Sequence, residues 1–243
     1  MPPPASTSCW RGRAKLNALT TVAVIDFETT GLSPTMGDRA TEIAIVILEG
    51  DREVDRYQSL MNAGVRIPYF IEAYTGITNA MLADAPMAQQ VMDEASRFVG
   101  ARPMAAHNAS FDRRFWAAEL ERIDHPAPQP FACTLLLSRR LYPQAPNYKL
   151  GSLAAFHALP TTGRAHRAMA DAEVAAALLG RIKDDLRIHF KVPDPKHELL
   201  MKLQACARKA LPKAIAKHLS QPDPARGQPS VPSDTMQSVH SAQ

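Results

Sequence analysis

Between residues 20 and 62 the apolar positions fall in short runs separated by polar turns, a pattern that belongs to strands rather than helices. Residues 20–28 (TTVAVIDFE) read as a buried strand, 41–49 as a second that opens with Glu42, and 52–62 as a third. Gly50 and Asp51 make the hairpin between the last two, so the three predict an antiparallel meander. Beyond Pro68 the spacing becomes helical. It predicts a helix over 68–75, a short turn capped by Thr78, and a helix over 86–99 with Val91, Ala95 and Phe98 on one face. An alternation follows: strand 103–107, helix 110–122 capped by Asn108 or Ser110, strand 131–134, then helices over 135–141, 151–157 and 168–187. The class is therefore α/β.

The two ends break the pattern. Residues 1–18, rich in Pro, Ala, Ser and Arg, predict a flexible lead-in to one domain over 19–190. After the PDP at 193–195, residues 195–219 predict a basic amphipathic helical extension. Lys202, Lys209, Lys213 and Lys217 fall on one stripe, with Leu200, Leu203, Ala207, Leu211 and Ile215 on the other side. That stripe is either the solvated face of a packed helix or a surface for a phosphate backbone, in which case deleting 196–243 weakens binding of long oligonucleotides. Residues 220–243 hold few bulky apolar side chains and predict disorder.

Charge changes this picture little. The net charge of +4 is concentrated near the C-terminus, where 201–219 hold five basic residues and no acid. There is no run of eighteen apolar residues, and the first residues lack the apolar core of a secretory signal, so a cytoplasmic location without membrane contact is expected. Cys9, Cys133 and Cys206 are too few and too scattered for a zinc knuckle or a disulfide framework.

The candidate chemistry lies in three motifs. In DFETTG (26–31) an apolar run ends in two acids, and strand alternation puts Asp26 and Glu28 on one face with Phe27 toward the core. Carboxylates that close call for a divalent cation between them. In HNASFD (107–112), Asp112 falls in the first helical turn after a strand, where open α/β sheets place ligands. In HRAMAD (166–171), about 140° would separate His166 from Asp171 around a continuous helix, so His166 must lie in the loop before it.

DFETTG, HNASFD and HRAMAD, in that order and spacing, resemble the three motifs of the DEDDh 3′-to-5′ exonucleases, the group that contains the proofreading epsilon subunit of bacterial DNA polymerase III. The resemblance covers about 20–183 and takes in YTGIT (74–78) and YKLGSLA (148–154). It implies an RNase H-like exonuclease fold, a mixed five-stranded sheet flanked by helices. It also implies that Asp26, Glu28, Asp112 and Asp171 bind metal and take part in catalysis, with His166 as general base. Thr29 and Leu32 would line the pocket of the 3′-terminal nucleotide, and Thr78 and Asn108 join the substrate-binding set. Two Mg²⁺ or Mn²⁺ ions about 3.5–4 Å apart would serve an in-line displacement that releases nucleoside 5′-monophosphates. The expected substrate is a single-stranded or frayed DNA 3′ end, in proofreading or repair, and a DNA polymerase or another protein is the partner the resemblance suggests. RNA 3′-end trimming is the alternative; DFETTGL leans toward DNA, because oligoribonucleases carry Met-Thr-Gly-Leu after the acids. A non-catalytic nucleic-acid-binding module is the remaining reading, and the presence of all five residues argues against it.

Overall fold

The computed structural model describes residues 21–220 apart from 162, 164 and 165. The expected lead-in and, beyond Ser220, the expected tail lie outside the described residues. Strands β1 (Thr21–Thr29), β2 (Ala40–Glu49) and β3 (Arg52–Leu60) form the antiparallel meander, and β4 (Met104–Ala106) and β5 (Phe131–Cys133) add to β1 in parallel. The mixed sheet runs β3-β2-β1-β4-β5. The helices are α1 (Tyr69–Thr75), α2 (Asn79–Ala83), α3 (Ala88–Val99), α4 (Ser110–Glu121), α5 (Thr134–Leu141), α6 (Leu150–Phe156), α7 (Ala168–Phe190), α8 (His197–Ala205) and α9 (Leu211–Leu219).

Alternation along β1 sorts the two layers. Val22 and Val24 face a core shared with α7 and the C-terminal helices, whereas Ala23, Ile25 and Phe27 face a core shared with α3 and α4. Asp26 and Glu28 continue the first of these faces, so the acids emerge where the α7 layer stops covering the sheet. Glu119, buried near the end of α4, takes two hydrogen bonds from Arg39 at 2.8 and 2.9 Å and a third from the Ala40 N–H at 3.1 Å. That clamp ties α4, and with it Asp112, to the start of β2.

One local expectation is corrected. Neither Asn108 nor Ser110 caps α4; the N-cap is Ala109 in a helical conformation. Asn108 (φ 62°) turns the chain instead, its carbonyl accepting from the Phe111 N–H at 2.8 Å. Residues 195–219 form two short helices rather than one straight rod, as Pro212 in their sequence implies. α8 stops at an extended Cys206 and Ala207, a 3-10 turn (Arg208–Ala210) follows, and α9 begins with Pro212 in its first turn, where a missing N–H costs nothing. Ala207 is exposed.

Leu200, Leu203, Leu211 and Ile215 are nonetheless buried in the same core as α7. On α8, Gln204 also completes the outer edge of the sheet: its carbonyl accepts from the Cys133 N–H at 2.6 Å and its amide donates to the Phe131 carbonyl at 3.0 Å. The C-terminal helices thus belong to the fold, and deleting 196–243 removes core as well as charge. Leu203→Ala is expected to cost about 2–5 kcal/mol in denaturant unfolding; a loss under about 0.5 kcal/mol would show that this packing contributes little.

Candidate active site

Asp26 and Glu28 project from the end of β1, and Asp171 from the first turn of α7 reaches the same point. One carboxylate oxygen from each of the three lies within 4.8 Å of the others. Asp112 does not join this close group. It comes from α4, in the opposite layer, and is buried against the strand, where its Oδ1 accepts from the Phe27 N–H at 3.3 Å. It remains near enough to push on the charge of Asp26.

The electrostatics are those of acids lacking a counter-charge. Loss of hydration raises the Asp26 carboxyl well above its usual range, and Asp112, Asp171, Glu28 and Glu42 add repulsion. Loss of hydration also pushes Glu28 up to about 8, Asp171 and Glu42 adding to it, while Arg167 pulls the other way. Asp112 is raised to about 8 by burial, against its hydrogen bonds to backbone N–H groups. Burial raises Asp171 too, opposed by the His166 N–H. An all-carboxylate donor set this close, with no sulfur or imidazole among it, fits a hard divalent cation such as Mg²⁺ or Mn²⁺.

His166 sits immediately before α7, in a left-handed conformation (φ 62°), with its N–H donating to Asp171 Oδ2 at 3.2 Å. Its ring stacks on Tyr74, centroids 3.9 Å apart at 29°, and stays close enough for its charge to act on Asp171. The expected loop position holds, and the ring's partner is a residue of the YTGIT motif that carried no assigned role. Two more residues, Glu42 and Arg167, had no site role in the sequence. Glu42, fully buried, faces Glu28 across the β1–β2 ladder and accepts from Arg167 Nε (3.1 Å) and Nη2 (2.8 Å), the Ala168 N–H (3.1 Å) and Gln58 (2.8 Å). It caps α7 from another element and fixes the segment that carries His166 and Asp171. An acid opening the otherwise apolar run IAIVIL was the available signal, since a carboxylate inside a buried strand needs partners.

The expected substrate residues divide. Thr29 is buried at the end of β1, its hydroxyl donating to the Gly31 carbonyl at 2.6 Å, and Leu32 is 78% exposed beyond it. Gly31 between them lies so close to the Asp38 carboxylate that a methyl group there would collide with it. Asp38 in turn accepts from the Ser33 N–H at 2.9 Å and holds the loop. Thr78 caps α2, accepting from the Met81 N–H at 3.2 Å, so its hydroxyl already has a structural partner. Asn108 is exposed and lines a cavity beside the carboxyl ends of β4 and β5.

Residues 23–179 match the RNase T family of exonucleases. The chain belongs to that family. This exonuclease domain is similar to the DNA polymerase III PolC-type protein of Caldanaerobacter subterraneus subsp. tengcongensis, 32% identical over 76% of this chain and 13% of that protein. It is likewise similar to the 3′-5′ exonuclease DinG of Bacillus subtilis (strain 168), 34% identical over 74% of this chain and 19% of that protein. The chain thus spans less than a fifth of the length of either. Among solved structures, exonuclease X in complex with 5′ overhanging duplex DNA superposes with a TM-score of 0.56 at 32% identity, covering 67% of this chain and 91% of that one. The zinc-bound E. coli ExoI–ssDNA complex shares the fold, with a TM-score of 0.62 at 17% identity over 71% of this chain and 42% of that one. The domain is a nuclease of the DEDD type, related to polymerase III proofreading domains and to DinG. No helix among the described residues is long and apolar enough to cross a membrane.

Proposed function

We propose that the protein removes nucleotides from DNA 3′ ends, releasing nucleoside 5′-monophosphates, with divalent cations held by Asp26, Glu28 and Asp171 and with Asp112 beside them. The observation that carries the reading is the convergence of three carboxylates within 4.8 Å, with Asp112 against the same strand end and His166 at the adjoining helix start. Divalent ions bound there supply positive charge and Lewis acidity to a phosphodiester. The protein's own part is to release the protons that its raised carboxyls hold and to fix them as ligands. Leu32, free of packing, covers the terminal base, and the backbone at Thr29 holds the terminal nucleotide. His166, held at the start of α7 beside Asp171, takes the proton of the attacking water.

The DFETTGL sequence supports DNA, as do relatives named for DNA polymerase III and neighbours solved with duplex and single-stranded DNA. Incubating the purified protein with 5′-labelled DNA and RNA oligonucleotides, with Mg²⁺ or with chelator, tests the reading. A ladder shortening from the 3′ end of DNA is expected with Mg²⁺ alone. Cleavage that persists in excess chelator, starts at the 5′ end or favours RNA overturns the corresponding part.

His166→Ala is expected to lower turnover by about 10²–10⁴-fold while Mn²⁺ affinity, read by calorimetry, stays within a few-fold of the original. An unchanged turnover removes His166 from the reaction.

A further inference from the structure

Two cavities of about 490 and 430 Å³ share Asn108, Leu135 and Arg139 and so form one groove. It opens at the carboxyl ends of β4 and β5, and Asn108 lies on the turn that leads into Asp112. Arg113, Arg139 and Lys149 line the groove with exposed side chains, and among the described residues no acid lines it. None of the three cations has an ion-pair partner among the described residues, whereas Arg39, Arg56, Arg167 and Arg187 are all paired. Tyr148 and the half-buried Leu135 and Leu136 give the groove aromatic and apolar surface, and the Arg139 guanidinium lies 5.8 Å from the centre of the Tyr148 ring.

A basic rim over an aromatic and apolar floor is the chemistry of a single nucleic-acid strand, with phosphates on the cations and a base on the ring. A duplex offers phosphates but keeps its bases stacked away from such a floor. We propose that this groove holds the single strand upstream of the 3′ end being cleaved, with Arg113, Arg139 and Lys149 on its phosphates and Tyr148 and Leu135 under one base. This rests on the nuclease reading above. It locates strand affinity beside Asn108 rather than on the C-terminal lysine stripe.

The test is Arg139→Glu/Lys149→Glu in the full chain, both side chains being exposed and without an ion-pair partner among the described residues, with circular dichroism and melting to check folding. Fluorescence anisotropy with a labelled single strand of about 20 nucleotides, longer than the roughly 4–16 such grooves cover, reads binding in chelator and so independently of cleavage. The dissociation constant is expected to rise about tenfold, and the slope of its logarithm against log salt to flatten by about 1.4 for the two lost cations. KM should rise likewise for this strand and move less than twofold for the p-nitrophenyl ester of thymidine 5′-monophosphate, which has no upstream strand. Unchanged affinity and slope overturn the proposal, as does a loss confined to duplexes, or an equal loss from Lys213→Glu/Lys217→Glu, which would show diffuse attraction to charge. A wild-type protein that cleaves neither substrate yet shows the expected binding loss leaves the groove standing and overturns the nuclease reading instead.

Discussion

Asp26→Asn, Glu28→Gln, Asp112→Asn and Asp171→Asn are each expected to lower cleavage by about 10³-fold or more, while the metal-free protein becomes more stable at pH 8. The first effect follows from removing a charge from a set that only a cation can balance. The second follows from the raised pKa values. Glu28 moves from 4.5 when exposed to about 8 in the fold, and Asp112 from 3.8 to about 8. A carboxyl raised in this way stabilises the fold while protonated; that contribution is complete below about pH 4 and is lost as pH rises toward 8. The melting temperature of the metal-free wild type should therefore fall between about pH 5 and 8. Glu28→Gln and Asp112→Asn should each flatten that fall, because the amide carries no charge to desolvate. Mg²⁺ should raise the melting temperature more at pH 8 than at pH 5, where protons compete for the same oxygens. Calorimetric melts across this range, with Mg²⁺ and with chelator, decide it. A flat profile indifferent to chelator would mean that the acids are not clustered as described, and near-normal turnover in any one variant would remove that residue from the site.

Glu42→Ala is expected to cost about 3 kcal/mol of stability and to lower turnover without touching a reacting group. Glu42 is buried and takes four hydrogen bonds, two of them from Arg167, whose side chain is one-third exposed. Removing a buried partner leaves the other charge desolvated, and the lower end of the usual 3–5 kcal/mol range applies because Arg167 can turn partly to water. The same change frees the Ala168 N–H and the start of α7, which carries His166 and Asp171. Glu42→Gln keeps the volume and two acceptor sites, so it should recover most of the stability and part of the turnover. Urea unfolding and single-turnover rates read the two effects separately. A stable Glu42→Ala protein with full turnover would show that α7 is held by its packing alone.

Strand alternation, a local property of the backbone, was enough to put Asp26 and Glu28 on one face with Phe27 in the core, and the Gly50–Asp51 hairpin was enough for the meander. Local chemistry also placed His166 before α7 and gave Thr78 its cap. One local signal misled. Asn108 and Ser110 look like caps, yet the chain turns through a left-handed Asn108. Residues 195–219 break at Cys206 and Ala207, and each short helix docks separately on the α7 core.

What only the tertiary structure decided is which distant groups meet. That α4 lies in the layer opposite α7 sets Asp112 against the Phe27 N–H rather than within the close trio, and no spacing along the chain encodes that layer assignment. The Glu42–Arg167 clamp spans 125 residues, the His166–Tyr74 stack joins two motifs read separately, and the basic groove draws on three elements whose arginines and lysine look like ordinary surface charge in sequence. Periodicity reports which way a side chain points from its own element. Partners are settled by packing, which weighs desolvation against pairing over the whole molecule.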